Sequence, residues 1–116
     1  MGVQVSRRRF EELVAAALDG IPDELAAQMD NVAVVVEDAP ASGDVLGHYQ
    51  GVDLPSRSPL SYGGVTPDVI TIYRLPLCEL AADEAELARQ VRITVLHEVG
   101  HHFGLSDEDL ERLGWA

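Results

Sequence analysis

The feature that most constrains this chain is the stretch from about Asp83 to Phe103. Val91, Ile93, Val95, Leu96, Val99 and Phe103 recur there at helical spacing and spread over most of a circumference. A helix that is apolar nearly all round must be buried, so this one is expected to be the central element of the fold. Yet the same stretch holds three of the chain's four histidines, at 97, 101 and 102, with Glu98 among them. A buried helix that carries ionisable groups in its last turns needs a reason for them.

The spacing supplies one. On a helix His97 and His101 lie one turn apart and about 40° around the axis. Both imidazoles then project from one face and can reach a single ion at about 2.0–2.1 Å. Glu98, about 100° round from His97, sits beside that ion rather than on it. From there a carboxylate can take a proton from a polarised water and pass it to a leaving amine, the logic of His-Glu-x-x-His. Tetrahedral zinc of the catalytic type needs a third protein ligand and one open position. Gly104 lets the chain turn back after the helix, which makes Asp107 the best-placed oxygen ligand, with Glu108, Asp109 and Glu111 behind it. An acid in the first turn of a helix is also favourable without any metal, so Asp107 has a second explanation. The short motif arises by chance on the order of once in a few hundred chains of this length, and Gly104 with Asp107 lowers that by roughly another few hundredfold. His102 points about 100° away from His101, toward Val91 and Val95, and is expected to pack in the core.

Around the central helix the sequence predicts an α/β (α+β) domain spanning residues 1–116, with a small mixed sheet of about three to four strands. Residues 6 to 18 form an amphipathic helix ended by Gly20, and Ile21-Pro22-Asp23 opens a second through about Gln28, an N-terminal helical hairpin. Val32 to Val36 is an unbroken β-branched run, expected to be a strand buried on both faces. Residues 45 to 52 suggest a weak strand, 54 to 67 a long loop, and 68 to 73 a strand expected to present an edge to an extended peptide. Residues 75 to 80 read as a connection, because Pro76 bars a regular strand. Ser106 caps a last helix from Asp107 to about Leu113, and Trp115 is expected to dock it on the core.

Other groups carry weaker signals. His48, Tyr49, Tyr62, Tyr73 and Arg74 are candidates for contacting substrate or stabilising an oxyanion, although a tyrosine near a strand is more often packed. Cys78, the one cysteine, has no partner for a disulfide and no spacing that suggests a nucleophile. The net charge of −12, with every cation an arginine, argues against nucleic acid as a partner. No apolar run reaches the roughly 18 residues of a membrane span. Ser6-Arg7-Arg8-Arg9-Phe10 is followed by acids too soon for an export signal, so a cytoplasmic setting is expected.

Taken together, Leu54 to Pro59, Pro67 to Arg74 and Thr94 to Asp107 resemble the minimal zincin-like metallopeptidases, or mini-zincins, previously described as a bacterial domain of unknown function. The resemblance implies a zincin-like core with one zinc ion per chain, held by the positions of His97, His101 and Asp107, and Glu98 as general base. Metzincins have a third histidine where this chain has Asp107 and a methionine turn downstream, and the methionines here precede the motif. Gluzincins take a glutamate from a later helix, for which little chain remains. The pattern is similar to the Asp-zincin one. Two functions follow as expectations: a zinc-dependent peptidase acting on peptides or small proteins, and a non-catalytic interaction module that keeps zinc for structure.

Overall fold

The computed structural model describes residues 2–29, 31–43, 45–51 and 67–114. Tyr62, Trp115 and most of the long loop from 54 to 67 lie outside these residues. Among the described residues there are five helices and a three-stranded mixed sheet: α1 Arg7–Asp19, α2 Asp23–Ala26, β1 Val32–Glu37, β2 Gly47–Gln50, β3 Asp68–Tyr73, α3 Arg74–Leu80, α4 Glu84–His102 and α5 Asp107–Leu113. The fold class is thus the expected α+β, and α4 is its centre. None of the helices among the described residues is long and apolar enough to cross a membrane.

Local chemistry explains most boundaries. Ser6 caps α1 by accepting from Arg9 N, and Asp83 caps α4 by accepting from Glu86 N at 2.8 Å. Helix α3 corrects the expectation of an irregular connection at 75 to 80. Pro76 does bar a strand, but it stands in the first turn of a helix, where its missing N–H would have no acceptor in any case.

The sheet order is β1-β3-β2, with β1 parallel and β2 antiparallel to β3. Two further expectations need correcting. The β-branched run is not buried on both faces: among the described residues β1 is an edge strand, with Val36 buried and Val35 exposed. Strand β3 offers no edge, because it lies between the other two. Strands alternate their faces. Asp68, Ile70 and Ile72 point to the buried side, as the burial pattern of β3 shows, and Gly47 and Tyr49 lie opposite Ile72 and Ile70. Helix α4 covers this side and touches both β2 and β3, while α1 packs on α4. The core forms where these layers meet: Phe10, Ile70, Ile72, Leu77, Leu87, Val91, Val95 and Val99 are all fully buried.

Candidate metal centre

Helix α4 ends in a left-handed turn that carries the chain back under its own last residues. Gly104 has φ of +83°, a conformation that costs other residues energy. Gly104 N bonds His101 O and Leu105 N bonds Gly100 O, which together satisfy the orphan carbonyls of the helix end. Ser106 and Asp109 then form a reciprocal capping box that starts α5. Leu110, fully buried, seats α5 on α4 against Gly100, where a Cβ would lie 2.2 Å from Leu110 Cδ2. The glycine inside the motif is therefore the socket that sets α5, and with it Asp107.

This geometry brings three donor atoms together. His97 Nε2 and His101 Nε2 are 3.1 Å apart, and Asp107 Oδ1 is 3.3 Å from each. A tetrahedral ion bound at about 2.0–2.1 Å would hold its ligands roughly 3.3–3.4 Å apart, so the triangle has the size a zinc ion needs. The proton count agrees. His101 Nδ1 lies 3.1 Å from Leu105 O and donates there, which leaves Nε2 as a lone pair facing the triangle. In that tautomer His101 Nε2 offers a lone pair beside the carboxylate oxygen of Asp107, an arrangement suited to a cation. Burial lowers the pKa of His97, with His101 reinforcing and Asp107 opposing, and this favours the neutral, ligating imidazole. His97, His101 and Asp107 can hold a metal ion.

Glu98 lies beside the triangle and only 6% of it is exposed. Burial pushes its carboxyl above the ordinary glutamate range, with His101 opposing and Asp107 reinforcing the shift. A carboxyl raised in this way is closer to the range in which proton transfer near neutral pH is efficient. Glu98 and His97 form one wall of a cleft of about 410 Å³, whose other lining includes Val45, Leu46, Gly47, Ile93 and Thr94. Strand β2 forms the far side, brought close because Gly47 has no side chain: a Cβ there would lie 2.9 Å from Thr94 Cγ2.

The remaining candidates are placed elsewhere. His48 is exposed and alternates away from Gly47 and Tyr49, onto the sheet face opposite α4. Tyr73 falls on that same far face, out of step with Ile70 and Ile72. Arg74 binds Asp38 Oδ1 at 3.0 Å and Val5 O at 2.9 Å, tying the N-terminal segment to the start of α3. The structure does not bring these three to the donor triangle. Tyr49 does face α4, but its hydroxyl is bonded to Asp68 Oδ2 at 2.6 Å. Of the fallback ligands, Asp109 is committed to the capping box and to Arg112. Sequence reasoning missed Gly47, Gly100 and Asp68. The signal for Asp68 was a lone acid on the inward-facing period of an apolar strand.

Comparison with known proteins bears on the fold and the family. No curated protein gives a significant match to the sequence. A solved structure of a conserved hypothetical protein from Thermo thermophilus superposes with a TM-score of 0.59 at 23% sequence identity, covering 94% of this chain and 97% of that one, which supports the fold. Residues 29–115 match the family described as zincin-like metallopeptidase. With its His-Glu-x-x-His helix, its third donor from α5 and a family match over most of its length, the chain belongs to the zincin-like metallopeptidase family.

Proposed function

We propose that the chain is a zinc-dependent peptidase that hydrolyses peptide bonds in extended peptides or small proteins. The observation that carries this reading is the conjunction of a zinc-sized triangle of lone pairs with a buried carboxylate at the wall of an open cleft. A zinc ion held by His97, His101 and Asp107 supplies a Lewis acid that polarises a carbonyl and acidifies a water.

The chain's own residues then do the rest. Glu98 takes a proton from the attacking water as its oxygen bonds to the carbonyl carbon. As the C–N bond breaks, Glu98 delivers that proton to the departing amine. His101 keeps its lone pair on Nε2 because its one ring N–H, on Nδ1, donates a hydrogen bond to Leu105 O. Strand β2 supplies a way to hold the substrate. Tyr73 N bonds Leu46 O, so the alternation of an antiparallel pair turns the backbone groups of Gly47 and Tyr49 away from β3, toward the side of β2 that is an edge among the described residues. An extended peptide can add to that edge, with a side chain in the apolar pocket made by Val45, Leu46 and Ile93.

A second reading keeps the ion as a staple without chemistry. Its support is that Asp107 stands on a short helix and is 80% exposed, so an ion would fix α5 to α4. Glu98→Gln separates the two. Under the peptidase reading the variant binds zinc as before and loses about 10²- to 10⁴-fold in hydrolysis of a peptide library. Hydrolysis at the wild-type rate would refute Glu98 as the base, and a wild-type protein that binds zinc yet cleaves no peptide would favour the staple.

A further inference from the structure

Next to the donor triangle lies a second polar cluster that the proposed chemistry does not use. His102 is completely buried, and its Nδ1 is 3.0 Å from Asp68 Oδ2. Tyr49 donates its hydroxyl to that same oxygen at 2.6 Å, and its oxygen is 3.4 Å from His102 Nδ1. Asp68 is itself 2% exposed, and its backbone N–H bonds Asn31 O, at the entry to β1. The cluster therefore joins β2, β3 and α4, with a tie to the chain entering β1. His102 Nε2 is buried and has no hydrogen-bond partner among the described residues. The tautomer with its proton on Nδ1 donates to Asp68 and leaves Nε2 as a lone pair instead of an orphaned N–H.

The position of this cluster is informative. His101, a donor of the triangle, is in the last turn of α4, and His102 is the last helical residue. Helix ends fray, and apolar contacts are not directional, so burial alone would let that turn rotate or slide. A metal site tolerates only about 0.2 Å in its donor distances. Hydrogen bonds into a buried carboxylate are directional and fix both rotation and height.

We propose that Tyr49, Asp68 and His102 form a positioning device: they lock the last turn of α4 to the sheet and so set His101 Nε2 and, through the Gly104 turn, Asp107. This rests on reading His97, His101 and Asp107 as a metal centre, but adds residues that touch no ion.

The test is the zinc affinity of folded protein, measured by competition with a chromogenic chelator, alongside melting temperatures. His102→Leu, one step removed from the ligands, should weaken zinc binding roughly tenfold, the lower end of the loss that follows removal of a group bonded directly to a ligand. His102→Asn, whose amide can place an N–H where Nδ1 was, should restore most of that loss. Tyr49→Phe removes one hydroxyl and keeps the ring, so it serves even if His102→Leu does not fold; a loss on the order of threefold is expected. Leu13→Ala on α1 is the control: it should lower the melting temperature and leave zinc affinity unchanged. Zinc affinities within twofold of wild type in the cluster variants would overturn the proposal, as would an equal loss in the α1 control. Failure of the wild type to bind zinc at all would instead remove the metal-centre reading, and this proposal with it.

Discussion

The two ends of α4 are built on different principles. Toward its start, Leu87, Val91 and Val95 are fully buried in a core shared with Phe10, Leu13 and Val14 of α1, and the polar contacts there, the Asp83 cap and the Arg9–Glu84 pair, lie at the surface. Toward its end, every turn carries a charged or polar group with a defined partner: His101 with Leu105 O, His102 with Asp68, and His97 and His101 with Asp107. Non-directional burial gives the first region its stability. Directional contacts accompany the second, where Gly47 and Gly100 let neighbouring elements come close and Gly104 lets the chain turn back. One helix thus serves as both core and site, so damage to either end should have a different signature.

The largest expected effect at the site end comes from the proposed ligands. His97→Ala or His101→Ala should abolish stoichiometric zinc binding and bring hydrolysis to background, with apo-protein circular dichroism nearly unchanged. Wild-type zinc content in either variant would break the contrast. The largest effect at the core end should come from Phe10→Ala, which empties a fully buried aromatic site and should cost about 3–5 kcal/mol in chemical denaturation. Zinc affinity of the fraction still folded should stay close to wild type, and a parallel loss would mean that the two ends are not separable.

Smaller changes sharpen the boundary between the ends. Gly100→Ala forces a methyl group into Leu110 and should cost about 1–3 kcal/mol by overpacking, and it should also weaken zinc binding, because α5 carries Asp107. A stability loss with no change in zinc affinity would show that α5 can reseat without moving Asp107. Ser106→Ala removes the capping side chain of α5 and should cost about 1 kcal/mol, with the smallest effect on zinc affinity of the set, readable by the same chelator competition.

How much of this the sequence revealed follows from the range of the interactions. The helical spacing of His97, Glu98 and His101, the turn at Gly104 and the cap at Ser106 are local, so residue order alone makes them legible. The core face of α1 and the centrality of α4 follow from apolar periodicity. What escaped depends on pairing. Nothing local tells Val32 to Val36 that it will lie at a sheet edge, or β3 that it will lie in the middle, because strand order is decided by partners far away in the chain. The helical state of Arg74 to Leu80 was obscured by Pro76, which excludes a strand but is tolerated in a first helical turn. His48 and Tyr73 looked available for a site because a strand's alternation cannot be assigned to a face until its neighbours are known. Asp68, Tyr49 and His102 are distant in sequence, and only the sheet's register brings them together. His102 was correctly expected to pack in the core, but its partners were not foreseen.

The most direct test of the central claim is X-ray absorption at the zinc edge of the purified, zinc-loaded protein, with Asp107→Ala alongside. The account predicts one zinc per chain with only nitrogen and oxygen neighbours at about 2.0–2.1 Å, and the outer-shell signature of two imidazoles. The substitution should remove an oxygen neighbour or replace it with a solvent one, and weaken binding. Substoichiometric zinc, a sulfur neighbour at about 2.3 Å implicating Cys78, or an Asp107→Ala variant indistinguishable from wild type would contradict it.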